Sequence, residues 1–182
     1  LLSDILLIGG DPPNASEDDR KTMGADRALA LVRAGRIGAA QRLFVMAGQS
    51  DVASQAQFAA AAALADLAAG EDRIACLRGA DLAQGRDSPI WLRLRALCYA
   101  LAKEPKAAQL TLDLLRDQGE LTRADDTLIA FVEGRDLAET PIRSAIDLAG
   151  IHASQSPITA ANLREADSGV LFAVANGGAA EL

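Results

Sequence analysis

Apolar positions recur along most of this chain at intervals of three and four residues, the spacing that gathers them on one face of an α-helix. The clearest stretch opens at Ser88. There Trp91, Leu94, Cys98 and Leu101 form one stripe, Ile90 and Leu97 flank it, and Arg93, Arg95 and Lys103 lie off it. The same reading predicts helices over 22–34, 37–47, 51–69, 71–84, 88–102, 104–118, 124–134, 141–151, 159–165 and 167–175. Apolar and polar residues nowhere alternate in the β-branched clusters that strands need. Three predicted starts share one signature: Ser88-Pro89-Ile90, Thr140-Pro141-Ile142 and Ser156-Pro157-Ile158. A hydroxyl caps a free backbone N–H, and proline takes the first helical position, where its missing N–H costs nothing. Gly48, Gly70, Gly85, Gly119 and Gly134 supply the stops.

The predicted helices come in pairs, and the pairs repeat. LALVRAGRIGAAQRLFVMAGQ (29–49), LADLAAGEDRIACLRGADLAQG (64–85) and LCYALAKEPKAAQLTLDLLRDQG (97–119) each hold an apolar helix end, a short polar break and a second helix. Gly35, Gly70 and Lys103 mark the breaks, 35 and 33 residues apart. A period of this size predicts an all-α fold of stacked antiparallel hairpins, an α-solenoid in which each pair buries its apolar face against its neighbours.

Composition agrees with closely packed helices. Half of the 182 residues are apolar, yet only 3% are aromatic. Alanine makes up much of the difference, and it has the highest helix propensity. The chain divides into a polar lead-in over 1–21, a helical-repeat domain over 22–176 and a short tail over 177–182. The lead-in ends in GGDPPNASEDDRK, rich in turn formers and charge, and reads as a flexible connector. There is no initiator methionine or signal peptide, so the expectation is a processed form or an excised domain.

The formal net charge of −7 argues against nucleic acid as a partner, because phosphate binding needs clustered Lys and Arg. LLSDILLIGG is too short to cross a bilayer and carries Asp4, and the run AQFAAAAALADLAAG is interrupted by Asp66. No membrane insertion by this segment is expected.

The third hairpin resembles a tetratricopeptide repeat, a family of paired helices that serve as protein–protein scaffolds. Trp91, Leu94, Leu101 and Ala107 fall at that family's spacing, as do Ala40, Phe44 and Ala47 of the first hairpin. Arg95 stands where the family has a glycine, Cys98 where it has a tyrosine, Thr111 where it has an aromatic and Gly119 where it has a proline. The resemblance covers roughly residues 22–119. A narrower resemblance, to alanine-rich helical-repeat proteins of alphaproteobacteria, rests on Trp91, Cys98, Ala100-Leu101, Leu114-Leu115-Arg116, Gly119 and the stretch ADSGVLFAVA. Some of these carry an antifreeze label, but this chain lacks the regular threonine array that ice binding needs.

Cys76 and Cys98 lie symmetrically about residue 87, near the predicted turn between their helices. Two antiparallel helices folded there bring both to one height, about 16 Å from the turn at 1.5 Å per residue. That placement predicts a disulfide, and a disulfide implies an oxidising compartment such as the periplasm. Two buried free thiols in a cytoplasmic protein is the alternative. Two Cys, one distant His and no CxxC make no zinc site.

His152 is the one histidine, in a loop-like GIHASQS where Ser154 and Ser156 are near in sequence. Neither GxSxG nor HExxH occurs, and a solvent-exposed loop residue is expected. The carboxylate groups Glu17-Asp18-Asp19, Glu71-Asp72 and Asp125-Asp126 fall in the polar lead-in or at helix starts, where negative charge complements the helix dipole. No catalytic residue, metal site or cofactor is predicted.

These readings point to a non-catalytic helical-repeat scaffold for another protein or peptide, part of a larger bacterial envelope protein. The exposed parts of Arg93, Arg95 and Tyr99 form the candidate binding surface. Two alternatives stay open: an accessory helical domain of a cell-wall (peptidoglycan) enzyme, and a cytosolic regulatory adaptor.

Overall fold

The computed structural model describes residues 16–47, 56–78 and 85–177, and all regular structure among them is helical. Among the described residues nine α-helices run in chain order: α1 Glu17–Arg33, α2 Ile37–Ala47, α3 Ala56–Ala68, α4 Asp72–Leu77, α5 Pro89–Leu101, α6 Pro105–Asp117, α7 Asp126–Val132, α8 Ala145–Ser154 and α9 Ser168–Gly177. Short 3₁₀ turns occupy Arg123–Asp125 and Asn162–Glu165. Helix α1 opens at Glu17, inside the stretch read as lead-in. Residues 1–15, Gly48 and the ends predicted for α3 and α4 at 51–55 and 79–84 lie outside the described residues, as do 178–182.

The three hairpins expected from the repeat are α1–α2, α3–α4 and α5–α6, and the helices of each pack on one another. Their breaks close in the same way. The N–H of Gly35 donates to Val32 O and that of Arg36 to Leu31 O, at 3.0 and 2.8 Å. Gly70 and Glu71 repeat this onto Leu67 and Asp66, and Lys103 and Glu104 repeat it onto Ala100 and Tyr99. This paired reverse bond satisfies the last helical carbonyls and needs a left-handed residue. Gly35, Gly70 and Lys103 supply it, with φ of 70°, 76° and 61°. Lysine adopts this conformation at a cost that glycine avoids.

Helix α3 is the centre. Its sequence AQFAAAAALADLA is apolar in every direction, so it must be surrounded. It packs against α1, α2, α4, α5, α8 and α9. In an open solenoid a hairpin would touch only its sequence neighbours. Here α8 returns to α3 and α5, and α9 returns to α1 and α3. Two glycines permit that return. A Cβ on Gly169 would lie 2.3 Å from Val32 O, and one on Gly35 would lie 2.8 Å from Phe172 Cβ and from Ser168 O.

Only one of the three proline signatures opens a helix. Pro89 is the first residue of α5, but Ser88 Oγ donates to Gly85 O at 2.9 Å instead of capping. Helix α8 starts at Ala145, capped by Ser144, not at Pro141. Pro141 O accepts from Thr127 Oγ1 at 2.7 Å, and Ile142 is fully buried, so this stretch is packed as a connection. At Ser156-Pro157-Ile158 the chain has just left α8 through Gln155, at φ 56°, and no helix forms. Buried Asn162 then ties the two connections together. Its Nδ2 donates to Ala138 O and Thr140 O, and its Oδ1 accepts from Thr159 N.

Trp91 is buried between the second and third hairpins, as its stripe predicts. It is 6% exposed, its Nε1 donates to Ala56 O at 2.8 Å, and it shares a core with Ala59, Ala60, Ala63 and Ala75. Cys76 and Cys98 are joined, with their Cα atoms 5.6 Å apart. The pairing is the predicted one, but the route differs. Helix α4 as described ends at Leu77, so Cys76 lies in its last turn instead of halfway along a straight helix. The bond ties a six-residue helix to α5.

Two stability outcomes follow. Trp91→Ala should cost about 3–5 kcal/mol, the range for large core truncations, and urea denaturation followed by circular dichroism measures it. Removing the disulfide by Cys76→Ser with Cys98→Ser should cost roughly 3 kcal/mol for the loop it closes. Intact mass of alkylated, unreduced protein reads the bond itself, and two labelled cysteines would refute it.

Candidate functional site

Arg93, Arg95 and Tyr99 were expected to share one surface; the structure sets Arg93 apart and keeps Arg95 and Tyr99 together. Arg93 is committed inside the fold. Its Nε donates to Asp125 Oδ1 at 2.6 Å and its Nη2 to Asp125 Oδ2 at 3.1 Å and to Glu120 O at 2.7 Å. This two-pronged pair holds α5 against the segment that enters α7. Arg95, two residues on, turns to the other side. Trp91, Leu94, Arg95, Cys98 and Tyr99 follow the three-and-four spacing, so Arg95 belongs with the apolar stripe and not off it.

Those five residues form one wall of a cavity of about 240 Å³. Ala75 and Cys76 of α4 close it opposite, and Arg86 borders it from the connection before α5. The disulfide is therefore part of the wall. Arg95 Nε is buried there without a hydrogen-bond partner. Among the described residues no carboxylate lines this cavity, although acidic side chains outnumber basic ones in the chain. On the far side of the bond, Leu77, Leu101 and Ala102 border a shallower hollow with Asp72 and Arg73.

A second cavity, of 280 Å³, lies where α1, α3, α5, α8 and α9 meet. Three aspartates converge on it, each at a helix start. Asp125 Oδ2 accepts from Thr122 N at 2.9 Å. Asp147 Oδ2 accepts from Arg143 N, Ser144 N and Ser144 Oγ, each at 3.0 Å. Asp167 Oδ1 accepts from Val170 N at 2.8 Å. Their titration differs. Burial alone would push Asp125 up, but the Arg93 and Thr122 hydrogen bonds and the Arg93 charge outweigh it and hold it below the ordinary value. Burial wins at Asp147, raising it from 3.8 to about 6 against the bonds from Arg143 and Ser144. Burial also raises Asp167, opposed by its bonds to Val170 and Gly169 and by Arg33. The chemistry this arrangement offers is helix capping with a pH-dependent member.

The remaining sequence candidates stand apart from both cavities. His152 is exposed in the last turn of α8 and not in a loop. Ser154 and Ser156 share a 2.8 Å hydrogen bond with each other. Glu71 is the residue before α4 and Asp72 its first. Burial raises the Asp72 carboxyl and the charge of His152 pulls it back. Glu17, Asp18 and Asp19 open α1. Among the described residues no group of three or more His, Cys, Asp or Glu could hold a metal ion, and no helix is long and apolar enough to cross a membrane. Sequence reasoning missed Asp147 and Asp167. The signal was present at Asp147, where Ser144 and Asp147 make a capping box three residues apart.

Comparison with protein-family models, curated proteins and solved structures gives no match.

Asp147 makes stability depend on pH in a defined direction. Its folded value lies above its unfolded one, so the native state holds the proton more tightly. That contribution is fully present below about pH 4 and is lost as pH rises to about 6. Asp147→Asn keeps an oxygen acceptor and removes the buried charge. It should raise stability above pH 6 by about 2–3 kcal/mol and flatten the profile between pH 4 and 6. Chemical denaturation across that range tests it, and an unchanged slope would rule Asp147 out as the source.

Proposed function

We propose that this domain is a non-catalytic helical-repeat scaffold that holds a protein or peptide partner, and that it works as part of a larger bacterial envelope protein. In this reading the three hairpins are tetratricopeptide-like units of a short solenoid. Its inner face, which successive first helices would offer to a partner, is taken up by the chain's own α8 and α9. A partner is therefore left the outer face, built from the second helices.

The observation that carries this reading is a set of exposed leucines on those helices, with Leu110 and Leu114 forming a short apolar ridge on α6. Leu110 and Leu114, one turn apart on α6, are 64% and 46% exposed. Leu77 on α4 is 59% exposed and lies 33 residues before Leu110, the separation of Gly70 and Lys103. A folded helix gains nothing by keeping leucines in water at repeated positions, and such faces mark interaction sites. The Cys76–Cys98 bond supports an oxidising compartment, hence the periplasm over the cytosol.

The test is capture of partners from periplasmic extract of the source bacterium with the intact, oxidised chain as bait. Leu110→Asp with Leu114→Asp should abolish capture and leave the melting temperature within about 2 °C, as exposed substitutions do. Capture that survives the double change would overturn the ridge. Turnover of peptidoglycan or of generic ester, peptide or phosphate substrates, lost with one substituted side chain in a folded variant, would overturn the scaffold reading.

A further inference from the structure

The cavity beside the disulfide holds an electrostatic imbalance that the scaffold reading does not use. A guanidinium is always charged at physiological pH, and its planar fork of donors matches a carboxylate. Arg95 brings such a fork to the cavity with a buried Nε that donates to nothing. Arg86, an exposed residue, brings a second charge of the same sign to the same wall, and no described carboxylate is among the lining residues. A donor kept from both water and a hydrogen-bond partner is costly, and the half-buried Arg95 and exposed Arg86 together make this border of the cavity positive. Arg93, on the same helix, shows the alternative. There the fold supplies Asp125 as counter-ion. At Arg95 the described residues supply a cavity wall and no counter-ion.

The rest of the lining sets what kind of anion fits. Trp91 offers only its ring, because its N–H is spent on Ala56 O. Leu94 and the Cys76–Cys98 bond are apolar, and Tyr99 is half-buried beside them. A phosphate, which keeps more negative charge and needs more donors, suits this lining less than a carboxylate does. At 240 Å³ the space is below the usual range for drug-sized ligands, so the apolar part must be short.

We propose that this cavity binds a carboxylate carried on a short apolar stem, with its charge on Arg95 and Arg86 and its stem against Trp91, Leu94 and Tyr99. The carboxylate comes either from a free small acid or from the end of a partner's chain, and the site chemistry is the same for both. The site lies apart from the Leu110–Leu114 ridge and stands without it.

Trp91 is the one tryptophan in the chain and lines the cavity, so its emission reports on occupancy. The oxidised full chain is titrated with N-acetyl-leucine, N-acetyl-leucinamide and inorganic phosphate, with calorimetry as a second readout. N-acetyl-leucine should saturate, and the amide and phosphate should bind at least about tenfold more weakly. Arg95→Gln should weaken the acid at least about tenfold and Arg86→Gln by less, while Arg123→Gln, outside this cavity, leaves it unchanged. Arg95→Gln should melt no lower than the parent, since it removes a buried N–H without a partner. Should it unfold, Arg95→Lys keeps the charge without the fork and should also bind more weakly.

A tetrapeptide ending in leucine, with free or amidated terminus, distinguishes the source. Preference for the free-ended peptide over N-acetyl-leucine supports a chain terminus, and the reverse preference supports a small acid. No saturation with either acid up to about 10 mM, equal binding of acid and amide, equal binding of phosphate, or full binding by folded Arg95→Gln would each overturn the proposal. The Leu110→Asp, Leu114→Asp variant should still bind the acid, which separates failure of the ridge from failure of this site.

Discussion

Helix α3 presents alanine to every neighbour it has. Ala59, Ala60, Ala61, Ala62, Ala63 and Ala65 are all buried, and the helix contributes buried side chains to three of the four apolar clusters and Ala68 to the edge of the fourth. Each alanine buries little area by itself. What it permits is short distance between backbones, and a protein interior gains from density as well as from area. A leucine at any of these positions would hold one neighbour off and open a gap beside the next. Apart from Phe58 and Leu67 towards the two ends of α3, the large buried residues sit on the surrounding helices: Leu31, Leu92, Leu94, Leu97, Leu112 and Leu148 are all essentially without exposure.

The closure of the fold onto itself follows from that centre. A helix that is apolar all round cannot leave one side to solvent, so α8 and α9 cover what the hairpins leave open. Their approach is close enough that Gly169 meets the α1 backbone at Val32. The same closure brings three helix starts to one place. Each needs an acceptor for free N–H groups, and Asp125, Asp147 and Asp167 provide them. Asp125 has Arg93 to balance its charge. Asp147 is the most deeply buried of the three, and its raised proton affinity is the consequence.

Arg93 and Arg95 show how two neighbouring residues of one type come to different ends. Two residues along a helix is a rotation of about 200°, so they cannot share a surface. One meets Asp125 and becomes structure. The other lines the cavity between α4 and α5, which the disulfide holds together, and its Nε has no hydrogen-bond partner among the described residues. The exposed leucines of α4 and α6 and this cavity are separate features of the same pair of hairpins.

The local physics was legible in the chain. Helical periodicity gave the all-helical class, the stops at Gly35, Gly70 and Lys103 gave the hairpin breaks, and the Trp91 stripe gave a buried indole, because each depends on residues within one or two turns. The cysteine pair was legible too, although the straight-helix argument for it was not the route the fold takes. What only the tertiary structure decided was everything that depends on who meets whom. The proline signatures at Pro141 and Pro157 fail as helix starts because Ile142 and Asn162 are held by distant partners. The expected surface of Arg93, Arg95 and Tyr99 splits because Asp125, 32 residues from Arg93, is brought against it. Contacts over such separations are set by how α8 and α9 close around α3, and no local pattern of apolar and polar residues encodes that choice.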